Sequence, residues 1–222
     1  MQHALIFDMD GLLVDSEPFW QEAEIDLFGC LGVPLTIERC RETQGLRAPE
    51  VVAHWNRLHP WTDGPLDAVT EQLVQRVATL IEQRGEPLPG AVAAVRLARA
   101  RGVLTALATS SPVANIQAVL RRLALVDAFD VVRSAEDEIY GKPHPAVYLG
   151  TAELLGVSPL RCAAVEDSIN GIISAKAARM RCVAVPHPSV RRDPRFAIAD
   201  IVIDSLEEMN DDLLREALSL SE

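Results

Sequence analysis

The 222-residue chain is 49% hydrophobic and 24% charged, a composition that excludes a disordered or collagen-like polymer and fits one large domain or a core carrying a smaller one. Its 21 Lys+Arg against 32 Asp+Glu give a formal net charge of −11, which argues against nucleic acid or an acidic membrane surface as the main partner, since both require a basic face. No apolar run reaches the roughly 18 residues of a membrane span. No secretion signal is expected, and the 4 cysteines, none in a Cys-x-x-Cys pair, are expected to be reduced and packed in a cytoplasmic protein.

In chain order, short continuous apolar runs at 3–7, 103–108, 129–132, 162–165, 182–185 and 201–203 read as strands buried on both faces, as in a parallel sheet. Between them lie apolar residues three and four apart, such as Val113, Ile116, Leu120 and Leu123, then Tyr148, Ala152 and Leu155, so helices alternate with strands. The stretch 17–86 breaks the alternation, with helical spacing only (Phe19, Ala23, Leu27; Val69, Leu73, Val77, Leu80). It is expected to be an all-helical domain inserted after the first strand, bounded by Pro18 on one side and by Gly85, Pro87, Pro89 and Gly90 on the other. The expected division is an α/β core of 1–16 plus 87–222 and a helical domain of 17–86.

Four clusters carry candidate chemistry. Asp8 and Asp10 follow the first strand and precede Gly11, so both face the crevice beyond the sheet edge, where two anions require a cation or a shared proton. Thr109, Ser110 and Ser111 end the second strand before Pro112; with Ser111 as N-cap and Pro112 as first helical residue, the loop suits a phosphate. Lys142, one of two lysines in the chain with Lys176, sits in Gly141-Lys142-Pro143-His144-Pro145, a loop fixed enough to place an ammonium. Glu166 and Asp167 directly follow the fourth strand and suit a hard cation such as Mg²⁺. Each cluster also has a plain explanation as a turn, a helix cap or a solvated charge, and His144 reads as structural.

The order Asp8-x-Asp10-Gly11, Asp15-Ser16-Glu17, Thr109, Lys142-Pro143 and Glu166-Asp167-Ser168 resembles the phosphatase branch of the haloacid dehalogenase (HAD) superfamily. Within it, Gly45-Leu46-Arg47 and Ser168-Ile169-Asn170-Gly171 are similar to bacterial sugar-phosphate phosphatases of the 2-deoxyglucose-6-phosphate and hexitol phosphatase type. The resemblance implies a Rossmann-like core under a helical cap, with a small phosphorylated sugar or polyol as substrate. It implies Asp8 as nucleophile, Asp10 as acid and base, and Mg²⁺ held by the Asp8 carboxylate, the Asp10 main-chain carbonyl and Asp167. Thr109, Ser110 and Lys142 would hold the phosphoryl group and Arg47 the far end of the substrate, with Trp20 and Glu17 as weaker candidates. Glu166 and Asn170 would support the metal from behind, and Lys176 is explained equally by a helix surface. Related mutases use a cap lysine, and 17–86 contains none, so hydrolysis is expected over phosphoryl return to sugar. Neither a receiver-type phosphoacceptor nor a dehalogenase is expected. No long heptad repeat is present, so a monomer is expected.

Overall fold

The computed structural model describes residues 2–136 and 138–219. Six strands, β1 (Ala4–Phe7), β2 (Leu104–Thr109), β3 (Val131–Ser134), β4 (Cys162–Glu166), β5 (Arg181–Ala184) and β6 (Ile201–Val202), form one sheet in the order β3-β2-β1-β4-β5-β6. Every pairing is parallel. All six apolar runs therefore become strands, with ends displaced by one or two residues. The third starts at Val131 instead of 129 because Asp130 folds back on Thr105: its amide donates to Thr105 O at 2.8 Å, and its carboxylate accepts from Thr105 N at 2.8 Å.

The insertion between β1 and β2 contains α1 (Glu17–Cys30), α2 (Ile37–Cys40), α3 (Ala48–Leu58) and α4 (Leu66–Arg84), and no strand. Trp55 and Leu73 are fully buried within it, Phe28 packs on Trp61, and α4 lies along α1 and α3. The chain leaves and re-enters the core side by side: Val14 bridges Pro87, and Leu88 N donates to Leu13 O at 2.9 Å. The helical cap is thus tied to the core through two adjacent strands of chain.

The core helices follow as α5 (Ala91–Ala100), α6 (Val113–Arg122), α7 (Ala146–Leu155), α8 (Ile169–Ala177) and α9 (Asp211–Ala217). Alternate strand residues point to opposite faces. Leu5, Phe7, Leu107, Val165 and Val183 meet α5, α6 and α9, while Ala4, Ala106, Ala108, Ala164 and Ala184 meet α7 and α8. The alanine-rich face leaves room for α7 and α8 to pack on the sheet, and Tyr148 of α7 is buried there. Strand order reverses around β1, whose neighbours are β2 and β4, and the crevice at such a switch point is the usual ligand position in open α/β sheets.

Two expectations need correction. Pro112, extended at ψ 152°, is the N-cap of α6, and the helix begins at Val113, because the Ser111 hydroxyl is spent on Asp10 and leaves no cap for Pro112 to follow. Of the cysteines, Cys40, Cys162 and Cys182 are buried, but Cys30 at the end of α1 is exposed. Among the described residues no helix is long and apolar enough to cross a membrane.

Gly90, the N-cap of α5, has φ 80°, and an added Cβ would overlap the main chain of Leu206 and Glu207. Gly90→Ala is expected to lower the unfolding free energy by roughly 2–4 kcal/mol, combining left-handed backbone strain with overpacking. Urea denaturation checks this, and a loss below about 1 kcal/mol would show that the segment relaxes freely.

Candidate active site

The carboxyl ends of β1, β2 and β4 converge on one cavity of about 560 Å³, roofed by the cap. Asp8 follows β1 directly, its amide donating to Val165 O at 3.0 Å, which holds it in line with β4. The side chain is buried, and Lys142 Nζ donates to its Oδ1 at 2.7 Å. The same ammonium donates to Glu166 Oε1 at 2.6 Å and to Ala108 O at 3.1 Å. All three of its protons are used, as a buried ammonium requires.

Glu166 is fully buried and also accepts from Tyr148 OH at 2.6 Å and from Ser168 Oγ at 3.3 Å. Gly171 faces it so closely that a Cβ there would overlap the carboxylate. Asp167 is half-buried, and Gly11 stands against its Oδ2 in the same way. The two glycines are the space into which the acids fit. Ser168 also caps α8 by accepting from Gly171 N at 3.1 Å, so the capping explanation and the site explanation both hold for this segment.

Asp10 is held by hydroxyls instead. Ser16 Oγ donates to Oδ1 at 2.5 Å; Ser111 Oγ and Thr109 Oγ1 donate to Oδ2 at 2.7 and 3.2 Å. Ser110, Asn170 and Arg195 line the cavity nearby. Lys176 does not reach it and pairs with Asp200 at 2.7 Å. His144 caps its own loop, its Nδ1 accepting from Ala146 N at 3.3 Å.

From the cap, Arg47 lines the cavity with its guanidinium already committed. Nη2 pairs with Glu50 Oε1 at 2.7 Å, and Nη1 donates across to the core at Glu138 O, 2.8 Å away. Glu17 and Trp20 also face the cavity. Sequence reasoning did not single out Tyr148, the site roles of Ser16 and Ser111, or Glu24, which lines the same space. For Tyr148 a signal existed: its apolar helix face leaves a phenol that needs a buried partner.

Asp8, Glu166 and Asp167 thus gather around one ammonium, with Asp10 as a further negative charge close by. Burial pushes Asp8 up to about 7; Lys142 opposes the shift, and Glu166 and Asp10 add to it. Asp167 is also raised, by burial first and then by Asp8 and Glu166. Burial alone would lower Lys142, but Asp8 and Glu166 hold it above its ordinary value. Oxygens of Asp8, Glu166 and Asp167 lie within 4.8 Å of one another, a hard, under-neutralised donor set that fits a divalent cation. The carboxylate cluster therefore includes Glu166, whereas the Asp10 carboxylate belongs to the hydroxyls.

The family profile described as haloacid dehalogenase-like hydrolase matches residues 3–179. The chain is 46% identical over 207 residues to hexitol phosphatase B of Escherichia coli (strain K12), covering 93% of each chain. It is 30% identical over 218 residues to protein CbbY of Cereibacter sphaeroides, covering 94% of each. The crystal structure of CbbY from Rhodobacter sphaeroides in complex with phosphate matches with a TM-score of 0.86 at 29% identity, over 95% of this chain and 97% of that one. A mutant of CbbY in complex with xylulose-(1,5)bisphosphate gives 0.85 at 28% identity, over 94% and 96%.

Asp8 and Glu24 are both pushed up to about 7, burial being the first cause in each. Each binds a proton more tightly folded than unfolded, so above pH 7 the folded state bears a desolvated charge that unfolding relieves. In metal-free buffer, stability is expected to rise as pH falls from about 8 to about 6, and the gain ends near the ordinary carboxylate value of about 4. A urea midpoint that stays flat or drops over that interval would contradict the charge imbalance.

Proposed function

We propose that this protein, which belongs to the haloacid dehalogenase-like hydrolase family, hydrolyses phosphate monoesters of small sugars and polyols by way of an aspartyl-phosphate on Asp8. The carrying observation is the opposed anchoring of two carboxylates at one cavity. Asp8 is fixed from beneath by Lys142, and Asp10 is aimed by the hydroxyls of Ser16, Thr109 and Ser111. A nucleophile and a proton carrier need separate anchoring around the same reacting atom.

In the first step, an Asp8 oxygen bonds to phosphorus as the bond from phosphorus to the sugar oxygen breaks, and Asp10 gives its proton to that oxygen. In the second, water attacks phosphorus, Asp10 takes the water proton, and the bond to Asp8 breaks to release phosphate and free the carboxylate. Lys142, the Thr109 hydroxyl and the Ser110 main chain hold the phosphoryl oxygens, which is positional and electrostatic work. Asp8, Asp167 and the Asp10 carbonyl would hold Mg²⁺, with Glu166 and Asn170 supporting them. When bound, the ion supplies the positive charge that lets one anion approach another.

Residues 17–86 act as the cap that excludes water, and residues 1–16 plus 87–222 carry the chemistry. Arg47 contacts the far end of the substrate once it exchanges Glu138 O for it. Hexitol phosphatase B at 46% identity supports a polyol or sugar phosphate as substrate. The absence of lysine in 17–86 supports water as the acceptor. The working unit is a monomer, in the cytoplasm.

Phosphate release from a panel of hexose, pentose and hexitol phosphates tests the reading. Activity is expected to require Mg²⁺, to vanish in EDTA, and to fall by roughly 10³-fold or more in Asp8→Asn, which removes the nucleophile. Activity that survives either change would refute the mechanism. Conversion of β-glucose 1-phosphate to glucose 6-phosphate without free phosphate would make the protein a mutase.

A further inference from the structure

Glu17, Trp20 and Glu24 are spaced three and four apart on α1, so they share one helical face, and all three line the same cavity as Asp8. Glu24 is 5% exposed, which is unusual for a carboxyl without a cation beside it. Its surroundings are neutral donors, the Thr43 hydroxyl, the Cys40 thiol and the Trp55 indole, with Glu17 as a like charge. The Thr43 bond is long, at 3.5 Å, and Trp55 Nε1 makes no hydrogen bond. The mechanism above uses none of these groups.

A buried carboxylate whose hydrogen bonds are incomplete gains from any ligand that brings hydroxyl donors. The half-buried Trp20 indole beside it offers an apolar plate for the C–H side of an extended polyol. We propose that Glu24, with Trp20, reads the hydroxyl-bearing end of the substrate and is the specificity-determining acceptor for a neutral polyol chain. The inference rests on the phosphatase reading and deepens it. It also excludes a second anionic group from the vicinity of Glu24. A substrate with a phosphate at both ends would instead have to engage Arg41 and Arg47, which line the same roof.

The test compares kcat/KM for a hexitol 6-phosphate with that for n-hexyl phosphate, which has the same chain length and no hydroxyls. The native protein is expected to prefer the hexitol ester. Glu24→Gln keeps the shape without the charge, and Glu24→Leu removes both acceptors. Each is expected to reduce that preference by about tenfold or more, the scale of a hydrogen bond to a charged group, without lowering the melting temperature. Equal losses on both esters would assign Glu24 a structural role and overturn the proposal. An unchanged preference, or faster turnover of a hexitol bisphosphate than of the monophosphate, would overturn it as well. Titration calorimetry of the two esters reads the same preference without turnover. An inactive protein that still favours the hexitol, and loses that preference in Glu24→Leu, would refute the phosphatase reading while supporting this one.

Discussion

Lys142 is the one ammonium among the carboxylates at the sheet end of the pocket, and the arrangement of the site depends on where its three protons go. Two bridge Asp8 and Glu166, and the third reaches the main chain at Ala108 O. Burying such a charge is tolerable only when its geometry is complete. Tyr148 and Ser168 complete Glu166, and Gly171 leaves room for its carboxylate. β1, β2 and β4 are therefore locked together at their carboxyl ends by side chains as well as by the ladder. The excess negative charge that remains is concentrated at Asp8, Glu166 and Asp167, the donor set that fits a divalent cation.

The sheet makes this possible by treating its two faces differently. Leucine, valine and phenylalanine fill the side under α5, α6 and α9, whereas alanines line the side under α7 and α8. Tyr148 on α7 can then come near enough to the sheet to reach Glu166 at the end of β4. Asp10 is organised by other means, through hydroxyls that originate before α1, at the end of β2 and in the loop before α6. One carboxylate is fixed by a charge and the other by dipoles. The proposed division between a nucleophile and a proton carrier rests on this contrast.

The cap contributes a roof whose charges are arranged unlike those of the floor. Arg47 spans from the cap to Glu138 O in the core and so bounds the cavity on that side. Glu24 stands under that roof with weak neutral partners. The floor gathers Asp8, Asp10, Asp167 and Lys142, and the roof Glu24, Arg41 and Arg47, a division that follows from placing the roof on an insertion separate from the sheet.

Much of this was legible along the chain. Continuous apolar runs marked six strands because a parallel sheet covered on both faces leaves no polar alternation, and the run 17–86 showed its helical nature by spacing alone. Asp8, Asp10, Thr109, Lys142, Glu166 and Asp167 were visible as residues at strand ends and in one fixed loop, since local sequence determines where a strand stops. Tertiary structure decided what each of them touches. Ser111 read as a helix cap and instead serves Asp10, Tyr148 read as core and is core but also holds Glu166, and Glu24 carried no signal at all. Those roles are set by contacts between residues from 18 to 101 apart. Periodicity records which side of an element is buried; it does not record which buried partner waits there.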